Sequence, residues 1–199
     1  MGAYRDSILL EKTLEIKDRY KCRYFIETGT NDGDSLAILS PYFPELYSCE
    51  LFPNTYELAC RNLHAIKNTY LYNQSSPDFL RFIGNSFQNS NETLIFLDAH
   101  WGSDCPILEE LQIIADNKIS GPIIIHDFFV PDKNNNAKFN FQRHTDPETN
   151  QEVILNLDYV KEKMKLIYGE FDIFYPSETV SENAGYAIFT KKVWLHLEK

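Results

Sequence analysis

Five short apolar runs, each followed by polar residues and then a helix-like stretch, leave few folds open to this chain. Tyr24-Phe25-Ile26 closes on Glu27-Thr28-Gly29, and Leu46 to Cys49 closes on Glu50. Thr69 to Tyr72 leads into Ser75-Ser76-Pro77, where Ser76 reads as an N-cap and Pro77 as a first-turn proline. Leu94 to Leu97 closes on Asp98, and Pro122 to Ile125 closes on His126-Asp127. Helical patterns lie around these runs: residues 5–20 with Ile8, Leu9, Ile16 and Tyr20 near one face, then stretches from Ser35, Pro53, Ser76, Pro106 and Leu157. Alternation of this kind implies an α/β domain whose parallel sheet is covered on both faces. Phe171 to Tyr175 and Tyr186 to Thr190 are joined by a turn-rich link, which predicts an antiparallel hairpin at one edge. Helix-covered parallel sheets bind ligands beyond the C-terminal ends of their strands, so the polar residues there are the candidates for function.

Composition narrows the partners. The 199 residues fit one domain spanning 1–199, and 43% apolar with 24% charged residues excludes wholesale disorder. No apolar run approaches the roughly 18 residues of a membrane span. The N-terminal stretch carries charge through its apolar positions and has no signal-peptide core, so a cytoplasmic location is expected. Cys22, Cys49, Cys60 and Cys105 form no C-x-x-C pair and read as reduced thiols. A net charge of −10 does not favour a phosphate-tracking surface. Small, mostly uncharged ligands are expected, with no nucleic acid and no membrane as partners; a homodimer is compatible with the composition. Residues 131–151 are polar and Asn-rich, and a loop of that length in a compact domain suits a lid. Phe139, Phe141, Arg143 and His144 lie in it.

The strand ends carry the chemistry. FIETGTNDGDS places glycines where a strand turns into a helix, a site where backbone can approach a ligand closely. Gly29 and Gly33 are spaced G-x-x-x-G, which departs from the G-x-G-x-x-G of dinucleotide sites. Glu27 precedes them, and a carboxylate there suits an ammonium group better than a pyrophosphate. Glu50, at the next strand end, can accept two hydrogen bonds from a ribose diol.

Four segments, FIETGTNDGDS, YSCELF, LYNQSSPDFL and LIFLDAHWGSDCPILEEL, occur in an order that resembles the class I S-adenosylmethionine (SAM)-dependent methyltransferases. The resemblance runs from Tyr24 to about Lys191. It implies a Rossmann-like three-layer sandwich with a mostly parallel seven-stranded sheet. It also implies that Glu27, Gly29, Thr30, Gly33 and Ser35 hold the methionine part of SAM and that Glu50 holds the ribose. Ser75 and Ser76 would stand beside the adenine, where the family commonly has an acid. Phe96-Leu97-Asp98-Ala99-His100-Trp101 is similar to the matching segment of catechol-type O-methyltransferases, with Ala99 as an extra residue. There the Asp binds a divalent cation, and the His and Trp lie by the cofactor, which implies roles for Asp98, His100 and Trp101.

The catechol-type enzymes end the fifth strand in Asp-Asn, both metal ligands; here the pair is Asp127-Phe128, preceded by His126. Asp98 and Asp127 are therefore the candidate ligands for a divalent cation such as Mg, with His126 better suited to a softer metal. The same residues support a metal-free reading. A hydroxyl acceptor has a high pKa and benefits from a general base near neutrality, so His100 and His126, oriented by Asp98 or Asp127, are the catalytic candidates. His64 and His196 read as structural, and Glu109 and Glu110 as the solvated first turn of a helix. The function so implied is O-methylation of a sugar, glycan or other small metabolite. The rivals are a noncatalytic binding or scaffold protein on the same fold and a nicotinamide-dependent oxidoreductase.

Overall fold

The computed structural model describes residues 3–100, 104–146, 149–178 and 184–192. Helix α1 (Ser7–Tyr20) begins where the Asp6 carboxylate accepts hydrogen bonds from the Ile8 and Leu9 amides, and it stops at Lys21 in the left-handed region. The alternating series follows: β1 (Tyr24–Thr28), α2 (Asp34–Leu39), β2 (Glu45–Cys49), α3 (Pro53–Leu63), β3 (Thr69–Tyr72), α4 (Ser76–Gly84), β4 (Thr93–Leu97), α5 (Ile107–Asp116) and β5 (Ile123–His126). A short pair, β6 (Arg143–Thr145) and β7 (Glu152–Ile154), precedes α6 (Leu157–Tyr168), β8 (Phe171–Phe174) and β9 (Tyr186–Lys191).

The main sheet runs β3-β2-β1-β4-β5-β9-β8. The first five strands are parallel, and β9 pairs antiparallel with both β5 and β8. The expected seven-stranded sheet with its antiparallel edge pair is therefore present. Each strand alternates its side chains between two cores. Ile26, Ile95, Leu97, Ile123 and Ile125 pack with Phe79, Leu111, Ile114 and Met164 from α4, α5 and α6. Phe25, Leu94, Phe96 and Ile124 pack on the other side with Leu9, Leu36, Leu39 and Leu63 from α1, α2 and α3. Three layers result. Strand order reverses between β1 and β4, which opens a crevice at their C-terminal ends.

Two local expectations are corrected. Ser75, not Ser76, is the N-cap of α4: its hydroxyl accepts from the Asp78 amide at 3.3 Å, and Ser76 is the first helical residue. The 131–151 segment is not only loop, because β6 pairs with β7 in an antiparallel ladder that sets His144 opposite Val153. Strands of three residues are too short to show a period of two in sequence. Main-chain bonds tie this small sheet to the large one: Gln142 N donates to the Asp127 carbonyl at 3.2 Å and Phe129 N to the Leu155 carbonyl at 2.7 Å. Among the described residues no helix is long and apolar enough to cross a membrane.

Candidate active site

The β1 loop is held tightly before any ligand arrives. Gly29 has φ +87°, and a Cβ there would lie 2.9 Å from the Asp98 carbonyl oxygen, so the β1 and β4 ends meet only because this residue lacks a side chain. Gly33, at φ +89°, turns the chain into α2. Across the crevice Glu50 is fixed through both oxygens. Oε2 accepts from the Asn31 amide at 3.0 Å and Oε1 from the Phe52 amide at 2.9 Å. Each oxygen keeps a second lone pair for a ligand.

A cavity of about 260 Å³ lies between these loops. Gly29, Asn31, Glu50, Phe52, Gln74 and Ser76 line it from the β1, β2 and β3 ends, and Asp98, Ala99 and His100 close it from β4. Of the sequence candidates, Gly29, Glu50, Ser76, Asp98 and His100 thus face one space. Glu27 does not line it. Its carboxyl is 1% exposed and accepts from the Ser48 hydroxyl at 2.7 Å, while Ser48 and Thr30 hydroxyls meet at 2.6 Å. Burial pushes the Glu27 carboxyl up to about 8; Asp98 and Glu50 push the same way, against hydrogen bonds from Ser48 and Ser35. Glu27, Thr30 and Ser35 form a buried bracket beneath the cleft, and Gly33 bends the chain behind it. Ser75 is turned out, its hydroxyl donating to Asp78 Oδ2 at 2.7 Å. Gln74, which the sequence reading passed over, lines the cavity in its place, and its buried Oε1 has no partner among the described residues. Ser75-x-x-Asp78 was the available signal, since that spacing marks a helix cap and removes Ser75 from the site. Trp101 lies outside the described residues.

Asp98, Ala99 and His100 also line a second, smaller space of about 10 Å³ on the side of β5, together with His126, Asp127, Glu110 and His144. His126 Nδ1 lies 3.1 Å from Asp98 Oδ1 and 3.5 Å from Asp127 Oδ1. His100 Nε2 lies 3.7 Å from Asp127 Oδ2 and 3.1 Å from Gln142 Nε2. Asp127 sits at φ +53°, a region that Asp enters more readily than most residues. Glu110, expected on a solvated face, is instead 1% exposed, and burial pushes its carboxyl up to about 7. It points inward, where the Ser76 hydroxyl at the start of α4 and the Thr28 hydroxyl at the end of β1 hydrogen-bond to it. His144 comes from β6 and is 3% exposed; burial, reinforced by nearby His100, lowers its pKa. All four cysteines are free, and none is paired.

This strand order, with one antiparallel strand inserted beside β5 and the cleft at the β1/β4 switch point, is the fold of the class I methyltransferases. Solved structures bear that out. A candidate O-methyltransferase from Klebsiella pneumoniae superposes with a TM-score of 0.63 at 16% identity, over 97% of this chain and 82% of that one. A candidate methyltransferase from Streptococcus mutans in complex with SAH gives 0.57 at 15% identity, over 92% and 97%. An rRNA methylase from Streptococcus thermophilus gives 0.56 at 12% identity, over 92% and 96%. No family model matches the chain, and no curated protein matches it. These neighbours differ in acceptor, so the fold does not support the expected exclusion of nucleic acid. That exclusion rests on the net charge of −10 alone.

Proposed function

We propose that the chain is a single-domain SAM-dependent O-methyltransferase acting on a hydroxyl of a sugar, glycan or other small metabolite. The observation that carries the reading is Glu50, held at the rim of a switch-point cleft by two backbone amides with lone pairs left for a ribose diol. Gln74 Oε1 is the acceptor for the adenine amino group, because it is buried in the same cleft with nothing to bond. Gly29 lets the methionine part approach the backbone, and the Glu27–Ser48–Thr30 bracket fixes the loop that does so. Glu27 thus acts from beneath. Ser75 is assigned no contact.

When bound, SAM would supply a methyl carbon activated by its sulfonium. The chain's residues must then align an oxygen and accept its proton. His100 is the proton acceptor in this proposal: it borders both the cofactor cleft and the smaller space, and Asp127 and Gln142 flank its Nε2. His126 is held between two carboxylates and serves the site's electrostatics. An all-oxygen magnesium site fits poorly, because Phe128 occupies the position of the catechol-type Asn ligand and is wholly buried. The hairpin β6–β7 covers the acceptor side, in keeping with a lid.

The test is methyl transfer from SAM labelled in its methyl group to separate pools of free sugars, nucleotide sugars, phenols and ribosomal RNA. Label is expected in a hydroxyl-bearing small molecule, dependent on His100. Label in RNA alone would refute the acceptor class, and no transfer to any pool would favour the noncatalytic reading.

A further inference from the structure

We propose that the small space between the β4 and β5 ends takes the protonated amine of the acceptor, so that the substrate is an amino sugar or another compound with a hydroxyl and an amine on neighbouring carbons. Asp98 and Asp127 bring two carboxylates to this space, and among the described residues neither it nor the cofactor cleft is lined by a lysine or an arginine. The arginines on the elements around the mouth are already engaged, Arg5 with Asp34, Arg81 with Asp78 and Glu109, and Arg143 with Glu152. A phosphate or carboxylate on the acceptor would meet like charge here with no lining cation to offset it. An ammonium would meet opposite charge.

A second observation is independent of the carboxylates. His144 lines the same space from β6, is 3% exposed, and its Nδ1 has no partner among the described residues. A buried ring nitrogen left unpaired is costly, so it calls for a partner from the ligand. An ammonium presents three N–H donors, and Asp98, Asp127 and His144 Nδ1 offer it three acceptors. The space, about 10 Å³, has room for one body the size of a water or an ammonium, so it takes the head of the acceptor and not its ring.

The place of the hydroxyl follows from His100, which borders both this space and the cofactor cleft, with Nε2 3.7 Å from Asp127 Oδ2. A hydroxyl at His100 stands beside an ammonium at Asp127 when the two groups are on neighbouring carbons. The hydroxyl's fate rests on the methyltransferase reading; the ammonium rests on the charge and geometry of the space alone.

The experiment has two arms, both on the full chain with a chelator present, so that no metal ion takes the place of the amine. In the first, calorimetry in the presence of SAH compares glucosamine and 2-aminoethanol with glucose, N-acetylglucosamine and glucosamine 6-phosphate. The two amines are expected to bind at least about tenfold more tightly than the other three. Asp127→Asn and, separately, His144→Phe are expected to bring that preference close to parity, with a circular-dichroism melt showing that each variant is folded. In the second arm, transfer from methyl-labelled SAM is scored on the same compounds, and label is expected to enter the amines at least about tenfold faster. No binding of either amine by the wild-type chain, equal binding of glucose and glucosamine, or tighter binding of the phosphate would each overturn the proposal. If label still moved to an acceptor, the methyltransferase reading would stand without it. Amine-selective binding with no transfer to any compound would support the ammonium site and refute the methyltransferase reading instead.

Discussion

The two halves of the crevice are built differently. On the β1–β2 side the acids and hydroxyls are bonded to the protein itself, Glu50 to two amides, Glu27 to Ser48 and Ser48 to Thr30, and Gln74 Oε1 at the β3 end stands without a partner among the described residues. On the β4–β5 side, carboxylates and imidazoles face one another, His144 Nδ1 has no partner among the described residues, and part of the wall comes from a small separate sheet. A half whose acids are already held is preorganised for a ligand common to a whole fold. A half whose charged groups face one another is specified by what binds there. In the proposed reading the first half belongs to the cofactor and the second to the acceptor.

The largest expected effect attacks the preorganised half. Gly29→Val puts a branched side chain at positive φ against the Asp98 carbonyl, and SAH affinity measured by calorimetry should fall by at least about a hundredfold. Next, His100→Ala should slow methyl transfer to any acceptor found by roughly a hundredfold or more while changing SAH affinity little, which separates the halves directly. An equal loss of SAH binding would place His100 in the cofactor half instead. Smaller still, Gln74→Leu should weaken SAH binding by about tenfold. Its neighbour Ser75→Ala should leave binding alone and cost about 1 kcal/mol of stability through loss of the α4 cap.

A separate expectation concerns stability against pH. Glu27 and Glu110 are raised by burial to about 8 and about 7 from an ordinary 4.5. A carboxyl raised in the folded state contributes stability that is full below its unfolded value and is lost as pH climbs through the folded one. Thermal melts should therefore show stability falling between about pH 5 and about pH 8 through these groups, and Glu27→Gln should flatten that slope. An unchanged slope in both Glu27→Gln and Glu110→Gln would show that neither acid is held neutral.

Much of the crevice was legible in sequence because β1 and β4 are buried on both faces and so read as apolar runs ending in Glu27 and Asp98. The antiparallel edge pair was legible from a link too short for a crossover helix. What escaped was side-chain direction. Gln74 and Ser75 are adjacent polar residues, and only the capping bond from Asp78 N shows which one faces the cleft. Glu27 sits at the right strand end, yet its side chain points beneath the loop to Ser48, which no spacing rule reveals. Glu110 looked like the solvated start of a helix, because its hydrogen-bond partners Ser76 and Thr28 come from α4 and β1, far away in the chain. His144 could not be assigned because a strand of three residues leaves no periodic trace, and its partners are far away in the chain.

Calorimetric titration of the full chain with SAH, and in parallel with NAD, tests the cofactor assignment most directly. The account predicts one SAH site per chain, weakened by Glu50→Ala, and no heat from NAD. Binding of NAD in place of SAH, or SAH binding indifferent to Glu50, would contradict it.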